Sequence, residues 1–447
     1  MFYEIETKYN TSSVKANGIK IWPLIRERYY LANNKKNHNY NEKKVTRDPF
    51  KLIKNFFYGI QYLSKIRNFN FIFFGQAEKR MNVFGKKDFD IFFDQIADNV
   101  GQDNSLFIEL ALQKHKSKKE VYSKNIISIL PFELIVRIIS FFIRIKICEE
   151  NILIEIQKDY QIKVDYISVI KLQLARFYIY RYIFKIIKPK AVFVLCSYCK
   201  MSIVLAARVN RILVIEAQHG FIGNNHDFYK LKGKFSKLYF PDYLLAFGHY
   251  ELKQKANNFI IEHNKIIPIG NLYLEYIKKH YKDSNLEGRK TKFVKIVCLT
   301  LQGFYEKEIL EYLQFNARVL RNWLFIIRPK QIYMDYEQYT CSNIVLLPQY
   351  NIYQILKYCD FNISINSTTV LEADYLGVFN VLLNYNNMSS KYFKDIKING
   401  VFLNVDNFVL LDKIEPTNYK NNNFISNYIF NVKKFINEII KKNEEES

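Results

Sequence analysis

"KPKAVFVLCSYCKMSIVLAARVNRILVIEAQHG" runs from Lys188 to Gly220 and decides the fold class. Two short apolar runs, Lys188–Cys196 and Arg211–Ala217, flank a segment, Lys200–Asn210, that reads as a helix. Runs without polar alternation belong to strands buried on both faces, which is the condition of a parallel sheet covered by helices. The second run then gives way to Glu216, Gln218, His219 and Gly220, with His226 seven residues further on. Polar residues that begin where a buried strand ends are placed at the carboxyl edge of the sheet.

The same rhythm extends outward. Phe69–Gly75 is a short apolar strand closed by glycine, and Asp88 to Ile186 reads as a long helical region. Asp242–Gly248 and Lys265–Asn271 read as two more strands with a helix between them. Tyr281–Phe293 is polar and charged, the best linker candidate. The strand-and-helix pattern restarts at Phe293–Gly303 and continues through Trp323–Lys330, Asn343–Gln349, Phe361–Ile365 and Phe379–Asn384; Asn423–Asn443 reads as a closing helix. The fold class expected is α/β: two Rossmann-like doubly wound domains facing a central cleft. Residues 1–280 form an acceptor-side domain with a basic lead-in, 281–292 the linker, and 293–447 a nucleotide-donor-binding domain.

At 447 residues the chain suits two cores rather than one, and 49% apolar with 24% charged residues is ordinary for a globular protein. The net charge of +23 favours anionic partners. There is no block of Lys and Arg alone, no zinc-finger spacing and no aromatic ribonucleoprotein motif, so nucleic acid is not the expected partner. Cys196-Ser-Tyr-Cys199 has a metal or redox spacing with no second pair to complete a zinc site; no bound metal or cofactor is expected. No stretch is long and uncharged enough to span a membrane, and "MFYEIETKYN" lacks the order of a secretory leader, so a cytoplasmic location is expected. Phe132–Ile147 reads as a buried or interfacial helix carrying Arg137, Arg144 and Lys146, which together with the charge suggests peripheral contact with the anionic inner face of a membrane. In the lead-in, Ile19–Tyr30 reads as ordered and Asn33–Lys44 as a solvated loop. Pro49–Ile66 reads as an amphipathic helix with a basic face and its apolar side on the core.

Three strand ends in the second half carry anion-compatible residues. Asn366-Ser367-Thr368-Thr369 lies between a strand and a helix, where hydroxyls cap the helix or backbone N–H groups and the dipole hold a phosphate. Glu372, one turn in, is placed to reach a ribose hydroxyl. Arg328 and Lys330 flank Pro329 at another strand end and suit a pyrophosphate. Thr300, Gln302 and Gly303 form a third loop able to meet a base or phosphate. In the first half, His219 is the candidate base for a hydroxyl acceptor, since an imidazole titrates near neutrality. Gly220 leaves room and backbone freedom beside it, Glu216 orients it or is itself the base, and Gln218 and His226 lie on the acceptor side.

These motifs, in this order over Lys188–Asn384, resemble the GT-B-type glycosyltransferases of bacterial capsule and lipopolysaccharide O-antigen synthesis, with Trp22-Pro23-Leu24 as further support. The chain is distantly similar to CDP-glycerol glycerophosphotransferases, in which a His-Gly motif like His219-Gly220 carries the base. In that wider set a His-Pro motif and a Ser-Ser/Thr motif hold the phosphates of the nucleotide. Ser367-Thr368 matches the second; Arg328-Pro329-Lys330-Gln331 departs from the first. The resemblance implies a metal-independent transferase moving a sugar from a nucleotide donor, CMP- or CDP-linked donors among the options, to a lipid-linked glycan of the cell surface. The alternatives it leaves open are transfer of a polyol phosphate from a CDP-linked donor, and a non-catalytic scaffold that binds nucleotide or polyanion.

Overall fold

The structure is a computed structural model that describes residues 2–37, 49–82, 87–223, 226–251, 259–303, 305–330, 334–393, 395–404, 409–416 and 423–441. The chain forms two compact units. Met1–Asn39, Lys44–Gly270 and Asn427–Ser447 make the first, and Asn271–Ser426 the second.

The sheet of the first unit contains β1 (Phe71–Gln76), β2 (Ser105–Leu110), β3 (Ile126–Ser128), β4 (Ala191–Leu195), β5 (Leu213–Ala217), β6 (Tyr243–Ala246) and β7 (Ile266–Pro268). Their order is β7-β6-β5-β4-β1-β2-β3, with every neighbouring pair parallel. The winding reverses between β1 and β4, so that pair is a topological switch point. Phe73 lies there in register with Phe107 on one side and Phe193 on the other, and its ring stacks on theirs at 4.9 and 4.6 Å. Helices of this unit include α1 (Trp22–Asn37), α2 (Pro49–Phe57), α3 (Leu130–Phe142), α4 (Tyr166–Ile187) and α5 (Met201–Val209). The α4 helix starts where the Asp165 side chain accepts from Ser168 N–H at 3.1 Å.

In the second unit the strands are β8 (Lys295–Leu301), β9 (Trp323–Pro329), β10 (Ile344–Leu346), β11 (Phe361–Ser364), β12 (Phe379–Leu383) and β13 (Gly400–Leu403), in the order β10-β9-β8-β11-β12-β13 and again all parallel. Here the switch point lies between β8 and β11. The helices used below are α6 (Ser284–Lys292) and α7 (Thr369–Leu376), and α8 (Tyr428–Phe435) lies in the closing segment of the first unit. The expectation of two doubly wound parallel sheets holds.

The sequence reading needs correction at five places. The 281–292 segment is not a linker: Asp283 caps it by accepting from Leu286 N–H at 3.0 Å, and α6 follows inside the second unit. The division falls at Gly270, whose φ of 94° suits glycine. The closing helix leaves the second unit and joins the first, where the Tyr428 hydroxyl donates to the Phe92 carbonyl and the Asn431 amide to the Ile269 carbonyl. Asp88–Ile186 is not uniformly helical, since β2 and β3 lie within it. Glu109 interrupts the apolar run of β2 and is buried there against Arg80 (2.5 Å) and His115 (2.9 Å). Finally, the apolar side of α2 does not face the core; the helix buries Asn55 and leaves Phe50, Ile53 and Phe57 exposed. The Asn33–Lys44 stretch continues α1 as far as Asn37, and its last residues lie outside the described ones.

The lead-in is held by buried polar chemistry. Arg26 on α1 lies 3.2 Å from Glu6 with both side chains almost fully buried. Its guanidinium also donates to the carbonyls of Asp227 and Lys230 at 2.6 and 2.7 Å. Glu6 in turn accepts from the Trp22 indole at 2.9 Å and from Lys232 N–H at 2.7 Å. The first helical segment thereby fixes the 226–232 stretch that follows the His219 loop. Arg26→Met leaves the Glu6 carboxylate buried without its cation, and is expected to cost about 3 kcal/mol or more in urea unfolding; a loss under about 1 kcal/mol would show that the pair holds nothing.

Candidate functional site

In the second unit the structure gathers residues from three strand ends around the switch point. Thr300, near the end of β8, donates its hydroxyl to the Ile363 carbonyl at 3.2 Å and receives the Thr369 hydroxyl at 3.3 Å. Thr369 opens α7, and its N–H donates to the Ser367 hydroxyl at 3.2 Å. Arg328 is the register partner of Thr300 on β9. Thr300, Ser367, Thr369 and Arg328 therefore meet at one edge, as the strand-end reading expects. The Asn residues of β11 and β12 explain how this arrangement is held. Asn362 donates to Asn380 at 2.8 Å, and Asn380 donates to the Val370 carbonyl at 3.0 Å. A polar thread thus crosses the sheet and anchors the first turn of α7.

Several polar groups at this edge have no partner. The Ser364 hydroxyl at the end of β11 and the Asn366 side-chain oxygen are buried without a hydrogen bond. Buried polar atoms are nearly always paired, though other buried groups, such as the Tyr29 and Tyr180 hydroxyls, are unpaired as well. Arg328 is half-buried and Lys330 exposed, and neither forms an ion pair among the described residues. Both also border a cavity of about 390 Å³ walled by Tyr336 and Pro348. The sequence reading names Asn366 in its loop but not Ser364, for which a serine in a strand as apolar as "FNISI" is the available signal.

Other expected donor-side residues turn inward. Gly303 has φ 90° and donates its N–H to Glu306 at 2.7 Å, so that group is occupied. Glu372 is buried and accepts the Tyr353 hydroxyl at 3.1 Å, which directs it to the protein rather than toward a ribose. Thr368 is the residue before α7 and caps it with no side-chain bond, while Gln302 is half-buried beyond β8.

In the first unit His219 follows β5 and is half-buried. The Cys196 thiol, at the end of the adjacent β4, lies 3.3 and 3.2 Å from its two ring nitrogens. Cys196 has φ 51°, a left-handed conformation that a non-glycine residue adopts at a cost. Burial pushes its thiol up to about 11, so it meets the imidazole as a neutral group. The role expected of Glu216 is corrected: the side chain is fully buried, accepts from Ser197 N–H (2.9 Å) and the Tyr229 hydroxyl (2.6 Å), and neither orients His219 nor meets a substrate. It ties the end of β4 to the 227–229 turn, and burial raises its carboxyl above the usual range. Gln218 is also a brace, donating to Glu251 at 2.6 Å and accepting from Phe247 N–H at 2.6 Å. Gly220 is not among the glycines with left-handed φ, so the freedom expected of it is not used. Among the described residues no group of three or more His, Cys, Asp or Glu is placed to hold a metal ion.

His226 is packed against the rings of Tyr229 (4.9 Å), Tyr198 (5.9 Å) and Phe228 (6.0 Å), and its Nδ1 is buried without a partner. Burial, helped by the Arg26 cation, pushes the imidazole down from 6.5 to about 4. The acceptor-side role is therefore replaced by a structural one. The neutral form is preferred in the folded state, so its contribution to stability is complete above pH 6.5 and is lost as the pH falls toward 4. Compared with wild type, His226→Leu is expected to lose about 2 kcal/mol less between pH 7 and pH 4 in urea titrations. Parallel pH profiles for the two proteins would refute this.

No family model matches the chain, and no curated protein matches it. Solved structures similar to it include the UDP-GlcNAc 2-epimerase from Methanocaldococcus jannaschii, at 12% identity over 82% of this chain and 98% of that one, with a TM-score of 0.48. Another is the UDP-GlcNAc 2-epimerase from Neisseria meningitidis bound to UDP-GlcNAc, at 13% identity over 84% and 92% of the two chains and a TM-score of 0.44. A third is the glycotransferase of kitacinnamycin, at 10% identity over 77% and 88%, with a TM-score of 0.43.

Proposed function

We propose that the protein is a glycosyltransferase that takes a sugar from a nucleotide-activated donor and passes it to a growing surface glycan, the acceptor class that its sequence motifs suggest. The observation that carries this reading is the β8–β11 edge, where Ser364 and Asn366 present unpaired polar atoms beside Thr300, Ser367, Thr369 and Arg328. A polar strand end at a switch point, with a helix opening on it and two cations that form no ion pair among the described residues, has the chemistry to hold a diphosphate. Arg328 and Lys330 match its charge, and the hydroxyls and the start of α7 supply donors.

His219 is the base in this mechanism. A ring nitrogen of His219 accepts the proton of an acceptor hydroxyl as the oxygen attacks the anomeric carbon. The bond from that carbon to the phosphate oxygen breaks, and the nucleoside diphosphate leaves with its added charge held by Arg328, Lys330 and the α7 terminus. Neutral Cys196 steadies the imidazole without fixing a negative charge beside it.

Two measurements test the reading. Thermal-shift titration with CMP, CDP, UDP, UMP, GDP and dTDP is expected to show one nucleotide stabilising the protein by about 2.7 kcal/mol at a hundred times its dissociation constant. Arg328→Ala/Ser367→Ala abolishes that shift; a response to CDP would select polyol-phosphate transfer, and silence from every nucleotide would overturn the phosphate site. With the donor so identified, His219→Ala is expected to lower turnover by about 10²–10⁴ while leaving the nucleotide shift intact. Unchanged turnover would remove His219 as the base.

A further inference from the structure

The α3 helix has its polarity reversed. Packed helices bury an apolar stripe and show water a polar one. In α3 the buried positions are Pro131, Phe132 and Val136, while Leu134, Ile135, Ile138, Ile139, Phe141 and Phe142 are exposed. At 3.6 residues per turn these six cover an arc of about 160° on the outward side. Phe141 and Phe142 end the helix 81% and 78% exposed. The α2 helix packs along α3 and shows the same reversal, with Phe50 77%, Ile53 56% and Phe57 57% exposed at i, i+3 and i+7. Two adjoining helices that both turn aromatic and branched side chains outward are not accounted for by scattered surface apolar residues.

The charge around these faces identifies what covers them. Neither 49–68 nor 134–148 contains a single Asp or Glu. The same segments expose Lys54, Lys65, Arg67, Arg137, Arg144 and Lys146. The nearest acid on α3, Glu133, is paired with Arg176 at 2.6 Å. A second copy of the chain would set these cations against each other across the contact. Among the described residues no helix is long and apolar enough to cross a membrane. Aromatic and aliphatic side chains with a mainly cationic border, in which the exposed Glu149 is the adjoining acid, fit a surface whose headgroups are negative and whose interior is apolar.

We propose that α2 and α3 form a docking face for an anionic lipid bilayer, with Phe141 and Phe142 entering the headgroup boundary and Arg137, Arg144 and Lys146 meeting lipid phosphates. The inference does not depend on the transferase reading.

The test is co-sedimentation with vesicles of phosphatidylcholine alone and of phosphatidylcholine with phosphatidylglycerol in equal parts. The wild type is expected to bind the anionic vesicles selectively and to release as salt rises toward about 1 M. Phe141→Ser/Phe142→Ser is expected to weaken binding roughly tenfold or more without lowering the unfolding midpoint, because both side chains already face solvent. Arg144→Glu/Lys146→Glu reverses charge without altering the apolar face; it is expected to weaken binding as well and decides the matter if the first variant folds poorly. No binding to anionic vesicles overturns the proposal, as does binding that both variants retain in full. A dimer that Phe141→Ser/Phe142→Ser converts to monomer, with no vesicle binding, would assign the face to a second copy instead.

Discussion

Every strand pair in both main sheets is parallel, and the rest of the molecule follows from that constraint. A parallel strand has to return by a crossover, so all carboxyl ends emerge at one edge and both faces are covered. Residues far apart in the chain are thereby collected in one place. Thr300 and Thr369 touch because β8 and β11 are neighbours at a reversal of winding, and Cys196 meets His219 because β4 and β5 are neighbours.

The chain treats the polar groups at its helix starts in two ways. Some helix starts are closed by side chains, since Asp165, Asn271 and Asp283 each accept from a backbone N–H and Asn351 forms a reciprocal capping box with Gln354, whereas α3, α5 and α8 start without one. At α7 the residue before the helix makes no side-chain cap, and the buried oxygens of Ser364 and Asn366 stay unpaired. Unsatisfied groups cost stability unless something binds them, and this supports the proposal that the second edge holds a ligand.

How much of this could be seen in the sequence depended on whether the signal was local. Strands such as Ala191–Leu195 were legible because nothing polar interrupts them, and the gathering of Thr300, Arg328, Ser367 and Thr369 followed from strand ends alone. Ser105–Leu110 was not legible, because Glu109 breaks the run and its partners Arg80 and His115 come from elsewhere in the chain. Glu216 and Glu372 were placed on the right edges but the wrong sides. Which way a side chain turns depends on Tyr229 and Tyr353, which spacing does not reveal. The 281–292 segment looked like a linker from composition, yet one capping aspartate and the burial of Leu286 make it a helix. The exposed apolar faces of α2 and α3 are the same lesson in reverse: amphipathic spacing fixes a stripe but not the direction it faces.

The two histidines seven residues apart are given different work by their surroundings. His226 lies among Tyr198, Phe228 and Tyr229, close to the buried Arg26 cation, and both desolvation and that charge exclude its protonated form. Arg26 is itself fixed by Glu6 and grips the carbonyls of Asp227 and Lys230, so the turn beneath the loop is rigid and His226 is part of its filling. His219 meets a different neighbour. It stands at the strand end, half-buried, against a thiol that burial keeps neutral. A group that must accept a proton and give it up again needs access to its partner and a charge state that its neighbours do not dictate. The same buried framework therefore gives His226 a packing role, and the proton transfer proposed for this protein is assigned to His219.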